Sequence, residues 1–233
     1  MRSAGLEAID LGEVPYEVAQ ADMARWVIER KEGCAGNRLF LLTHPPVITY
    51  TARTPVSQLP DPGSPIPLVE VDRGGHATYH GPGQLIGYLV VNVRDLGPRG
   101  LVRRVEQALI DAVGSLGFEA VRRDTPRGSE SLVGVWTPDH RKLASIGMRI
   151  SGSVTSHGFA LNIAPDLDVY TTFMSCALPD VRMTSLAELA EESGQPAPTE
   201  AQVRDAVTAA LTSALSAPDE TAVAAGDHAG AGR

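Results

Sequence analysis

"PLVEVDRGGHATYHGPGQLIGYLVVNV", residues 67–93, sets two apolar runs on either side of a glycine segment with no helical stretch between them. Both runs are rich in β-branched residues and read as strands. A chain that passes from strand to strand without a helix builds an antiparallel or mixed sheet, because parallel neighbours need a long crossover. The same succession returns downstream. "FEAVRRD" (118–124), "SLVGVWTP" (131–138), "KLASIGMRI" (142–150) and "SHGFALNI" (156–163) follow as short strands, and the last two frame a hairpin turn at 151–155.

Upstream, "LEAIDL", "RLFLLTH" and "PPVITYT" are further strand candidates, and five prolines between 53 and 67 predict a surface loop. Tyr16, Ala19, Met23 and Trp26 recur at helical spacing and stop near Gly33, which predicts one amphipathic helix. Val102, Val105, Leu109, Val113 and Leu116 predict a second over 101–117. Capping boxes, Ser185 with Glu188 and Thr199 with Gln202, open two final helices. The expected fold is α/β: a mixed, largely antiparallel sheet flanked by helices. Residues 1–217 are expected to form one domain, and the Ala/Gly-rich tail 218–233 to be flexible.

The net charge of −8 argues against nucleic acid as a partner, since phosphate backbones select an excess of Lys and Arg. The arginines cluster at 94–104, 122–127 and 139–142, a pattern suited to a local basic face toward an acidic partner. No apolar run is long enough to span a bilayer, and the acids Glu7 and Asp10 break any signal-peptide pattern, so a cytoplasmic location is expected. In that reducing compartment Cys34 and Cys176 are free thiols.

Three ligands would explain glycines at 74, 75, 81 and 83. A phosphate needs a loop that opens a helix or carries a Lys-Ser/Thr pair, and here a strand follows. A metal would draw on His76 and His80, but in a strand their Cα atoms stand about 13 Å apart. An acyl chain would exploit bare backbone, with Tyr79, Leu85 and Ile86 as apolar contacts. The segment also offers N–H groups to an oxyanion.

A lone cysteine is commonly an inert small hydrophobe, and a lone lysine a solvated charge. Should Cys176 and Lys142 meet, the ammonium would favour the thiolate, and the lysine would carry protons between attacking and leaving groups. Cys34, in a glycine turn after the first helix, reads as structural.

"RGGHATYHGPGQLIGY", "KLASIGMRI", "HGFALN" and the downstream Cys176 together resemble the lipoyl(octanoyl) transferases, also called the lipoate–protein ligase B family, from about Leu39 to Leu189. That resemblance implies a fold shared with biotin- and lipoate-protein ligases. It implies transfer of an octanoyl group from acyl carrier protein to lysines of lipoyl domains, those of 2-oxoacid dehydrogenase complexes and of the glycine cleavage H protein. It assigns Cys176 and Lys142 as catalytic. Substrate contacts would fall on Arg73, Gly74, Gly75, His76, Ala77, Thr78, Tyr79 and His80, on Ser145, Ile146 and Gly147, and on Gly158, Phe159 and Ala160. No cofactor and no metal are implied. The chain departs from the family's frequent Pro-Cys-Gly at Ser175-Cys176-Ala177 and from Tyr-Pro at Tyr88-Leu89. The rival readings are an ATP-dependent ligase of the same fold and a non-catalytic acyl-binding module.

Overall fold

The structure is a computed structural model that describes residues 5–94, 96–178 and 180–216. The tail expected to be flexible lies outside these residues. Strand β1 (Leu6–Glu13) leads into helix α1 (Tyr16–Glu32), whose last turn closes on Gly33 in the left-handed region, φ 79°. Strands β2 (Asn37–Thr43), β3 (Val47–Tyr50), β4 (Leu68–Glu70), β5 (Thr78–His80) and β6 (Gln84–Val90) follow with no α-helix between them. Helix α2 (Gly97–Ser115) then precedes β7 (Gly134–Trp136), β8 (Lys142–Ser151) and β9 (Val154–Asn162), and α3 (Leu186–Ser193) and α4 (Glu200–Ser216) complete the order.

Six strands form one sheet in the order β1-β2-β6-β9-β8-β7, parallel at β1–β2 and antiparallel elsewhere. This is the mixed, largely antiparallel sheet expected. The alternation of side chains sends Leu39 and Leu41 to one face, against Leu101, Val105 and Leu109 of α2 and Val207 of α4. Phe40 and Leu42 go to the other face, where Ala19, Met23 and Trp26 of α1 cover them. Helices on both faces explain why every residue of β6 is buried.

The capping boxes form: Glu188 N–H donates to Ser185 Oγ at 3.1 Å, and the amides of Thr199 and Gln202 bond each other's side chains. Helix α2 starts a turn earlier than its apolar stripe, with Pro98 in the first turn, where no intrahelical N–H partner is needed. "FEAVRRD" does not form a strand. Only Val121 bridges to Trp136, because the charged residues turn back on α2, Arg122 to Glu106 and Gln107, and Asp124 to Arg103. "SLVGVWTP" contributes three strand residues rather than eight. A small second sheet, β4-β3-β5, was not foreshadowed, and it carries the glycine segment onto the edge of the larger one.

Candidate active site

The glycine segment lies against β8. Gly74 N–H donates to the carbonyl of Met148 at 3.0 Å, and a Cβ at Gly147 would stand 2.7 Å from the carbonyl oxygen of Gly74. Gly147 is therefore required for backbone to rest on backbone, while a Cβ at Gly74 would press on the carbonyl oxygen of Met148 at 3.2 Å. Arg73 ties the segment from within: its guanidinium donates to the carbonyls of Gly74 (2.8 Å) and His76 (2.9 Å) and to Thr49 Oγ1 (2.9 Å).

Two cavities share Gly74, Gly75, His76, Ile146, Gly147 and Cys176. The wider, about 240 Å³, is largely apolar, with Leu101 and Val102 of α2, Val133 and Ile150 on its walls; Lys142 lines it, and among the described residues no carboxylate does. The narrower, about 50 Å³, is bounded by Arg73, Thr78, His80 and Ser145 and by Gly158, Phe159 and Ala160 of β9. Residues from six separated stretches of the sequence, 73–80, 101–102, 133, 142–150, 158–160 and 176, thus converge. The alternation in β5 sends Thr78 and His80 toward the narrower cavity and Tyr79 away from it. Tyr79 packs with Ile48, Ala77, Val169 and Phe173, and Leu85 and Ile86 lie in the two main cores. Ala77 contributes its backbone instead, its carbonyl accepting the N–H of Cys176 at 2.8 Å.

Cys176 is half-buried in a short 3-10 turn, Ser175–Ala177, with φ 58° and ψ 18°. Ala177 follows at φ 55°. Two consecutive non-glycine residues in the left-handed region are uncommon and costly, and such geometry is held where the surroundings over-determine it. Its Sγ lies 3.6 Å from the hydroxyls of both Ser145 and Ser175. Burial pushes the thiol up, but the Lys142 ammonium, those two hydroxyls and the Arg73 guanidinium outweigh it and hold the thiol below its ordinary value. Lys142 is 2% exposed, with its Nζ 5.2 Å from the centre of the Trp136 ring. Cys34 is exposed in the turn after α1 and lines neither cavity.

Sequence reasoning did not assign Tyr16, Tyr88 or His157 to the acyl site, and all three line the narrower cavity. His44 Nδ1 lies 2.6 Å from the carbonyl of Val14, so it carries the proton, and Nε2 accepts from the Tyr88 hydroxyl at 2.7 Å. Burial pushes Tyr16 up to about 12, with Arg73 opposing, and raises Tyr88 well above the ordinary phenol value, so both phenols stay neutral.

The histidines do not gather as metal ligands. His76 Nε2 pairs with Glu130 at 3.1 Å, His80 Nε2 contacts Thr49 Oγ1 at 3.3 Å, and no cluster among the described residues could hold a metal ion. Much of the clustered positive charge is paired: Arg103 with Asp124, Arg122 with Glu106, and Arg141 with Asp139 and Glu192. Among the described residues no helix is long and apolar enough to cross a membrane.

Residues 15–212 match the family model described as the lipoyl protein ligase A/B catalytic domain. The octanoyltransferase of Frankia casuarinae is 43% identical over 200 residues, covering 85% of this chain and 90% of that protein. The octanoyltransferase of Mycobacterium tuberculosis is 38% identical over 216 residues, covering 90% and 88%. Among solved structures, a putative lipoate protein ligase from T. acidophilum superposes with a TM-score of 0.69 at 16% identity, over 92% of this chain and 85% of that one. The biotin protein ligase of Leishmania major in complex with biotinyl-5-AMP gives 0.52 at 14% identity, over 95% and 78%. These last two likenesses are of fold.

Proposed function

The chain belongs to the lipoyl protein ligase A/B catalytic-domain family, and we propose that it moves an octanoyl group from acyl carrier protein to a lysine of a lipoyl domain through a thioester on Cys176. The observation that carries this reading is the shared cavity of Cys176 and Lys142, in which the ammonium favours the thiolate.

In the first half, the Cys176 thiolate attacks the carbonyl carbon of the carrier thioester. The bond from that carbon to the pantetheine sulfur breaks, and the departing thiolate takes a proton from the Lys142 ammonium. In the second half, the neutral Lys142 accepts a proton from the incoming lysine amine as it attacks the acyl-enzyme, and Cys176 leaves as thiolate. Thioester exchange is nearly even in free energy and amide formation is downhill, so no nucleotide is required. The N–H groups of Gly74 and Cys176 are committed to Met148 and Ala77. The oxyanion therefore falls to other donors beside the sulfur, those of Gly75 and His76 or the Ser145 hydroxyl. The apolar wall of the wider cavity suits an acyl chain, which gains about 0.8 kcal/mol per buried CH₂. Arg73, Thr78, His80, Ile146, Gly147 and Gly158 to Ala160 hold the acyl substrate, with Tyr16, Tyr88 and His157 beside them. The lipoyl domains acted on are those of 2-oxoacid dehydrogenase complexes and the glycine cleavage H protein, and the reaction is placed in the cytoplasm, where acyl carrier protein is found.

Mixing with octanoyl–acyl carrier protein, followed by peptide mass mapping, should show an octanoyl adduct on Cys176. Adding a lipoyl domain without ATP should clear it. An adduct on Cys34, undiminished turnover in Cys176→Ala, or turnover that needs ATP and free acid would overturn the proposal.

A further inference from the structure

Glu106 of α2 is 2% exposed, and carboxylates are almost never buried to that extent without a partner that requires them. One of its oxygens accepts the N–H of Gly134 at 3.1 Å, and the other lies 3.3 Å from Arg122 Nε. Gly134 opens β7 with φ 147°, in the region that favours glycine. A Cβ there would stand 2.5 Å from the carbonyl oxygen of Ala144 and 2.9 Å from Cε of Lys142. The stem of Lys142 therefore occupies the space that a side chain at 134 would take.

The backbone of Lys142 is fixed independently. Its N–H donates to Arg182 and its carbonyl accepts from Thr184, while β7 pairs it with Trp136. What the strand pairing leaves undetermined is the path of a long, four-carbon side chain. Gly134 borders that path at Cε and Trp136 borders it at the ammonium. In the ladder Gly134 pairs with Ser145, and the register shifts between Val135 and Trp136, so the pairing of Trp136 with Lys142 does not by itself hold Gly134 against the lysine stem. The buried carboxylate adds a second tie, on the N–H of Gly134.

We infer that Glu106 and Gly134 are positioning residues, which set the reach of the Lys142 ammonium into the cavity it shares with Cys176. The inference rests on the Cys176–Lys142 reading above and adds a support for it from α2, outside every motif of the site.

The test compares Glu106→Asp, Glu106→Gln, Gly134→Ala and Lys142→Met in a Cys34→Ser background, by the pH profile of iodoacetamide alkylation at Cys176 and by steady-state octanoyl transfer. Lys142→Met should move the alkylation midpoint upward. Glu106→Asp keeps the charge but withdraws the acceptor from Gly134, and Gly134→Ala crowds Cε. Both should move the midpoint in the same direction and lower kcat about tenfold, with KM for the octanoyl donor within about threefold. Glu106→Gln retains an oxygen acceptor and should stay within about twofold of the parent. If Gly134→Ala does not fold, the two variants at 106 decide the matter. A parental profile in folded Glu106→Asp, or a shift in Glu106→Gln as large as that in Glu106→Asp, overturns the positioning role. An unshifted profile in Lys142→Met overturns the underlying pairing, and this inference with it.

Discussion

The backbone N–H of Cys176 donates to the carbonyl of Ala77 at 2.8 Å, which joins the thiol turn directly to the glycine segment nearly a hundred residues earlier in the chain. The bond explains how a residue whose methyl group points away from the cavities still shapes them. The sulfur of Cys176 faces Ser145 of β8, so that glycine segment, strand and thiol turn meet at this residue, the segment through its N–H and the strand through its Sγ.

Ser145→Ala tests that meeting point. The hydroxyl at 3.6 Å from Sγ stabilises the thiolate over the thiol, and its removal should raise the thiol pKa. At neutral pH the thiolate fraction then falls, and alkylation and acyl transfer should both slow by about threefold to tenfold. The pH profile of Cys176 alkylation is the check. The midpoint should move upward, and the rate above it should return to that of the parent.

Ala177→Gly should stabilise the fold. Ala177 holds φ 55°, where an L side chain costs about 1–2 kcal/mol, part of which glycine returns through the greater entropy of its unfolded chain. A net gain of about 1 kcal/mol would raise Tm by about 2–4 °C in a chain of this size. The family's frequent glycine after the cysteine thereby has a backbone cause. Thermal melts of the two proteins at one pH provide the comparison.

How the sequence announced these features depends on their range. The helical stripe from Tyr16 to Trp26 and the strand succession after Leu68 are local periodicities, and burial on both sheet faces enforces them. The small sheet depends on β3 meeting β5 some thirty residues away, which no local pattern records. Within the site, Arg73 to His80 stood out because glycines and polar side chains interrupt an apolar run. Tyr16 and Tyr88 did not stand out, since one opens a helix stripe and the other sits in a wholly buried strand, and each looks like core. Tyr79 misled for the complementary reason: in a three-residue strand its neighbours face the cavity, so it cannot. Gly134 and Glu106 gave no signal, because their relation exists only where α2 crosses the start of β7.

His157 makes the fold sensitive to acid. It is 9% exposed, and its pKa is lowered to about 4, chiefly by burial and then by Arg73 and Arg149, with Asp72 opposing. Unfolded, the imidazole titrates near 6.5, so below that pH the unfolded chain binds more protons than the native one. Stability is full above pH 6.5 and declines as pH falls toward 4, by about 3 kcal/mol for this residue alone. His44 and His80, both lowered by burial, add to the same slope. His157→Asn, with a residue that tolerates the left-handed φ of 59°, should flatten Tm against pH between 6.5 and 4. An unchanged slope would reject His157 as a source of it.

Tyr88→Phe separates the wall of the narrower cavity from its chemistry. The phenol donates to His44 Nε2 at 2.7 Å, and that nitrogen has no proton of its own because Nδ1 gives one to Val14. Removing the hydroxyl leaves a buried acceptor unpaired in a site that is 0% exposed at His44, which costs about 1–3 kcal/mol. The ring itself remains, so the cavity keeps its apolar boundary and the thiol keeps its neighbours. Urea denaturation should show the lower stability with an unchanged m-value, while the pH midpoint of Cys176 alkylation stays at the parental value. A shifted midpoint would instead make the Tyr88 hydroxyl part of the electrostatics that act on the sulfur.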